Sequence, residues 1–267
     1  EVIPEMIFAP PDKWGFRKAN PKMLFIYDDR IYIAEKNKKL ITANCFYYKD
    51  IDYIETGSLL LYSWLTISGQ AAGEPASSKI EYCAVVDGLF KPVVAKIRSA
   101  MNALEQSEYV KGRLEQEEHK FNFLTRTDYK YMNFGKSSLI PGVAVKQIIY
   151  QPDIRTKYLR YFQKYVSYTH LTVLTGKELI LIKDDDHLRT THNTRYGGIW
   201  EYIPLTKVMA WELVSEAKLP ENCKILRLFL AGGTSISRIF TVDRLQELNL
   251  LTQEIDKLRI PPEYKCG

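Results

Sequence analysis

Cysteine is scarce in this chain. Cys45, Cys83, Cys223 and Cys266 are the only four in 267 residues, and no two form a Cys-x-x-Cys pair. That excludes a zinc ribbon or thioredoxin-type dithiol, and four thiols in so long a chain make no disulfide scaffold. A reducing, cytoplasmic compartment is expected. Cys83 lies in the apolar run Tyr82-Cys83-Ala84-Val85-Val86 and reads as a buried strand thiol. No window approaches the roughly 18 consecutive apolar residues of a membrane-crossing helix, so no transmembrane segment is expected. The opening Glu1-Val2-Ile3-Pro4 lacks a basic n-region and an apolar h-region, so no signal peptide is expected in it.

Organised catalytic motifs are also missing. There is no Gly-x-Ser-x-Gly elbow, and Ala231-Gly232-Gly233-Thr234-Ser235 lacks the lysine of a phosphate loop. His119 and His170 are isolated in sequence. No enzyme and no cofactor are expected on this ground.

What is present is an ordinary globular composition, with 46% hydrophobic and 26% charged residues, at a length that suits about two domains. The 37 basic and 32 acidic residues leave a net charge of +5 and are mixed along the chain. The pI of 8.8 is below the clustered basic character of a nucleic-acid domain, so nucleic acid is not an expected partner.

Five landmarks recur in the same order, and a repeat of this kind sets the fold. Ile7-Phe8-Ala9-Pro10 matches Ile149-Tyr150-Gln151-Pro152. The hairpin signature from Phe25 to Ile33 matches that from Val173 to Leu181. Tyr48 to Glu55 matches Leu205 to Glu212, and Leu61 to Gly69 matches Ile225 to Gly232. Each half then closes on an amphipathic helix. The first carries Val94, Ile97, Met101 and Leu104, with Pro92 in its first turn. The second carries Leu245, Leu248, Leu251 or Thr252, Ile255 and Leu258, with Thr241 as N-cap. Gly69 and the pair Gly232-Gly233 suit tight turns.

This order predicts an α+β, mainly β chain with a first domain over 1–105 and a second over 146–267. Between them, 106–145 reads as a partly helical, aromatic-rich connector that packs, since a flexible linker would be Gly/Ser-rich or charged. The second half also carries a polar insertion, 183–198, that suits a surface loop.

The order resembles the bacterial PH-like and GRAM-like domains, present as a tandem pair. The residues that carry the resemblance are the Phe25–Ile33 hairpin and the segment Lys49-Asp50-Ile51-Asp52-Tyr53-Ile54-Glu55, with their counterparts. The resemblance implies, for each half, a strongly bent antiparallel sheet, a partly open barrel, capped by its C-terminal amphipathic helix. It implies binding and brings no catalytic residues.

Two sets of residues are candidates for contact. Lys36, Lys38 and Lys39 fall in a predicted loop of the first half. Arg155, Lys157 and Arg160, with Lys164, are interleaved with Tyr158, Tyr161, Phe162 and Tyr165. Such interleaving can serve a nucleic-acid or lipid-headgroup surface. The spacing of the aromatics fits better one buried helical stripe from which Lys and Arg reach out to water. Asp184, Asp186, His187 and His192 are weak metal candidates: consecutive Asp side chains diverge, and no EF-hand spacing is present, so a solvated loop is the simpler reading. The expectation is a non-catalytic binding or scaffold module that engages a protein partner or an anionic membrane surface. It is cytoplasmic, peripheral at the inner membrane surface if lipid is the ligand, and homo-oligomers are compatible with it. The alternative is a metal-dependent hydrolase-type enzyme centred on the Asp184–His192 loop.

Overall fold

A computed structural model describes residues 3–14, 17–103, 111–158, 162–184 and 197–259. In chain order the strands are β1 (Glu5–Ala9), β2 (Asp12–Trp14), β3 (Arg17–Ala19), β4 (Lys22–Ile26), β5 (Arg30–Asn37), β6 (Leu40–Tyr47), β7 (Ile51–Leu59), β8 (Tyr62–Ala71) and β9 (Glu74–Cys83). The helices α1 (Asp87–Met101), α2 (Lys111–His119) and α3 (Tyr129–Ser137) follow. Then come β10 (Val145–Gln151), β11 (Ile154–Tyr158), β12 (Phe162–Ser167), β13 (His170–Thr175), β14 (Glu178–Lys183), β15 (Gly198–Pro204), β16 (Val208–Val214), β17 (Cys223–Leu230) and β18 (Ser235–Thr241). Helix α4 (Leu245–Arg259) is the last described element. The chain is mainly β with helices, α+β, and its ladders form open sheets.

The chain divides into two compact units. The first holds β1–β9, α1 and residues 198–202 of β15; the second holds α2, α3, β10–β14, Ile203 and Pro204, β16–β18 and α4. Residues 198–202, which fall within the expected 146–267 span, belong to the first unit because they hydrogen-bond along β7, from Gly198 opposite Ser58 to Tyr202 opposite Ile54. The connector belongs to the second unit: Phe121, Leu124 and Tyr131 are almost wholly buried there.

In the first unit, β1, β4, β5 and β6 form a four-stranded antiparallel sheet, and β7, β8 and β9 a meander. Period-two alternation turns Leu24, Ile26, Ile31, Ile33 and Phe46 inward. Helix α1 buries Phe90, Val93, Ile97 and Met101, and Phe90 stacks on Tyr82 of β9 at 3.7 Å between centroids. In the second unit β10 pairs with β13 and β13 with β14, and β16, β17 and β18 form a meander.

The two halves repeat one another in chain order and in ladder register. The pairs Met6–Phe25, Phe8–Met23, Phe25–Tyr32 and Met23–Ala34 recur, residue for residue, as Ile148–Val173, Tyr150–Leu171, Val173–Ile180 and Leu171–Ile182. A 3-10 turn precedes β7 and another precedes β16, and each of these strands begins with a bulge, at Ile51/Tyr53 and at Val208/Ala210. A further 3-10 turn leads into each of α1 and α4.

Five local expectations are corrected. Tyr158 and Phe162–Tyr165 lie in strands rather than a helix, since β11 pairs with β12, and Tyr165 is exposed; Tyr161 lies outside the described residues. The run after Tyr82 leaves the sheet at Cys83, so Cys83 is half-buried and Val85 exposed. Pro92 stands inside α1, which starts at Asp87 out of the 3-10 turn, so Val93 rather than Val94 faces the core. Thr241 does not cap α4; its hydroxyl donates to Gln151 Oε1 at 3.1 Å. Gly69 lies within β8 rather than at a turn, and a Cβ there would fall 2.3 Å from the Asp50 carbonyl oxygen.

Candidate functional site

The outward side of the β1-β4-β5-β6 sheet is the candidate site. Alternation assigns to it Met6 and Phe8 of β1, Met23 and Phe25 of β4, Arg30, Tyr32, Ala34 and Lys36 of β5, and Ile41, Ala43, Cys45 and Tyr47 of β6. A solvated sheet face normally reads polar. This one is apolar and open: Met6 is 61% exposed, Phe8 56% and Ile41 66%. Contiguous exposed apolar surface of this kind marks an interaction site. The only charged residues at these outward positions are Arg30 and Lys36, both cationic and six residues apart on β5, about 20 Å along an extended strand.

At one end the face carries an arginine among tyrosines. Arg30 Nη1 donates to the Tyr47 hydroxyl at 2.9 Å, and its guanidinium lies 5.6, 6.0 and 5.2 Å from the ring centroids of Tyr27, Tyr32 and Tyr47. Arg30 Nε faces Asp29 Oδ1 at 3.3 Å. Cation–π contacts and one ion pair hold the guanidinium in place. The Cys45 thiol, hydrogen-bonded to the Tyr32 hydroxyl, raises the Tyr32 pKa. An open pocket of about 320 Å³ lies here, lined by Phe25, Tyr27, Arg30, Tyr32, Ala34 and Ala43. Behind it, the Tyr48 hydroxyl donates to the Tyr27 carbonyl at 2.8 Å, and burial, with Asp28 and Asp29 adding to it, pushes Tyr48 up to about 12.

At the other end is the β5–β6 hairpin tip. Lys36, Lys38 and Lys39 are exposed there, beside exposed Leu40 and Ile41, and none of the three lysines has an ion pair among the described residues. Of the second basic set, Arg155 is ion-paired to Asp153 at 2.9 Å and lies 4.5 Å from the Tyr165 centroid. The Lys157 side chain and Arg160 lie outside the described residues.

Asp186, His187 and His192 also lie outside the described residues. Asp184 is described, and its Oδ1 accepts from Lys130 Nζ at 2.5 Å. Burial raises the Asp184 pKa, against Lys130, which lowers it. No group of three His, Cys, Asp or Glu side chains suited to a metal occurs among the described residues. No described helix is long and apolar enough to cross a membrane.

Sequence reasoning found the lysines of the tip and missed the apolar face beside them. The signal was in β5: Tyr32 and Ala34 alternate with Ile31 and Ile33, so neither side of that strand reads as polar. No family model matches the chain, and no curated protein matches it in sequence.

Proposed function

We propose that the protein is a non-catalytic binding or scaffold module built from two PH-like halves, and that it engages a protein partner through the outward face of the first half's four-stranded sheet. One observation carries this reading: a sheet face whose floor is Met6, Phe8, Phe25 and Tyr32 is open to solvent, with cations at its two ends. Taking such a floor out of water contributes about 25 cal/mol per Å², offset in part by the cost of association. The repeat in chain order and register supports the tandem reading: three strands of matched register, a three-stranded meander and a helix recur in each half.

The test is photo-crosslinking in the native cell, with the crosslinker at Met6 and, as control, at Glu118. A discrete protein adduct at Met6 that is absent at Glu118 is expected. No adduct, or the same adducts at both positions, overturns the reading.

A second reading, an anionic membrane surface, is favoured by the hairpin tip, where Lys36, Lys38 and Lys39 flank exposed Leu40 and Ile41. Sedimentation with phosphatidylserine vesicles at rising salt tests it. Charge-driven binding fades as screening grows, and no binding at low salt removes this reading.

A further inference from the structure

The second half covers the equivalent of this face with its own chain. Register equates Phe8, Met23, Phe25, Tyr32 and Ala34 with Tyr150, Leu171, Val173, Ile180 and Ile182. Leu171, Val173, Ile180 and Ile182 are fully buried, whereas Met23, Phe25, Tyr32 and Ala34 are only half-buried. The cover is helix α3. Its Tyr131 ring meets Tyr150 edge-on at 6.0 Å, and the Tyr131 hydroxyl donates to the Thr169 carbonyl. At Gly135 a Cβ would lie 2.2 Å from the Phe121 ring and 3.1 Å from Leu171 Cδ2, so the missing side chain lets α3 sit close on β13. Asp128 caps α3 by accepting from the Tyr131 amide at 3.2 Å.

Charge fixes the register of that helix. Lys130 of α3 meets Asp184, the residue that follows β14. By the same register, Asp184 stands where the first half has Lys36, and Glu178 stands where it has Arg30. At these two equivalent positions the faces carry opposite charges.

We propose, resting on the protein-binding reading above, that the first half's face receives a short amphipathic helix of a partner protein. The helix lies as α3 lies on the second half, with an aromatic side chain over Phe8 and Met23 and a carboxylate facing Lys36. A carboxylate replaces the amine of Lys130 because the sheet residue it meets is a lysine rather than an aspartate.

The probe is a fluorescein-labelled helical peptide with the sequence of residues 121–138, made once with Lys130→Glu and once unchanged. Anisotropy titrations use the full chain and its Lys36→Glu variant. The Lys130→Glu peptide is expected to bind the full chain about three- to fivefold more tightly than the unchanged peptide, the scale of one exposed ion pair. Lys36→Glu is expected to reverse that order, and Phe8→Ser to weaken both. Equal binding of the two peptides, no reversal by Lys36→Glu, or no binding at all overturns the inference. If a Met6 adduct still forms in cells, only the helix is lost and the protein-binding reading stands; if that fails too, both fall. A dimer of the full chain that Phe8→Ser dissociates, seen by sedimentation velocity, would make the occupant a second copy and overturn the partner helix.

Discussion

The indole of Trp64 lies across Gly57, its register partner on β7, so closely that a Cβ on the glycine would fall 2.0 Å from Trp64 Cζ2. Trp64 Nε1 donates to Glu55 Oε1 at 2.7 Å, and Lys79 Nζ lies 4.7 Å from its ring centroid. The ring is pinned on two sides, so it cannot move off without breaking a hydrogen bond. Gly57→Ala is therefore expected to cost about 2–3 kcal/mol in urea unfolding, through overpacking. A cost within about 0.5 kcal/mol, the range of a neutral surface change, would mean the indole has room to shift.

Ile7 and Phe8 are neighbours with opposite surroundings: Ile7 is 7% exposed and Phe8 56%. Ile7→Ala is expected to cost about 2–4 kcal/mol as a core truncation. Phe8→Ser is expected to change stability by no more than about 0.5 kcal/mol. Comparable losses in urea would mean that the outward face is covered in the free protein.

Tyr48 ties the end of β6 to the β4–β5 turn through its hydroxyl. Tyr48→Phe is expected to cost about 1 kcal/mol at neutral pH, the net worth of one hydrogen bond. Its folded pKa, about 12, lies above the unfolded value, so the fold holds the proton longer than the unfolded chain does. This share of stability is complete below about pH 10 and is lost as the pH rises toward 12. The gap in Tm between wild type and Tyr48→Phe should shrink over that window; a constant gap would contradict the raised value.

Lys130→Met leaves Asp184 partly buried without its ammonium partner. The Asp184 pKa is already raised by burial, with Tyr131 and Asp153 also acting on it, and it rises further once Lys130 no longer lowers it. A raised carboxyl favours the fold while protonated, and the benefit is lost as the pH climbs through the folded value. The variant should therefore match wild type most closely in acid and fall behind it by about 1–2 kcal/mol at neutral pH, a value between those of exposed and buried pairs. A deficit independent of pH would show that Lys130 acts through its stem on Tyr131 and Phe134 rather than through its charge.

The repeat was legible because hairpins, bulges and closing helices leave periodic apolar signals within a few residues of each other. Four of the five matched landmarks fall on equivalent elements; the fourth joins β8 to β17 out of step, since Gly69 pairs with Ile51 inside β8 whereas Leu230, not Gly232, pairs with the equivalent Val208. The helical reading of Tyr158 to Tyr165 failed because aromatics three and four apart suit a helix face and also suit a short hairpin; the pairing of Tyr158 with Phe162 decides between them. The candidate face was half legible. The lysines of the tip stand out as a run, but Met6, Phe8, Phe25 and Tyr32 lie far apart in sequence, on three strands that only the ladder brings together.

The sequence by itself determined the α+β character and the order of the matched hairpins and closing helices, because side-chain alternation and helical period are local properties. Tertiary structure alone decided two things. It joined residues 198–202 to β7, since strand partners are chosen by hydrogen bonds between distant segments. It also laid α3 over β13, which buries one copy of the sheet face while the other stays open, since coverage depends on where a connecting segment finds room to pack.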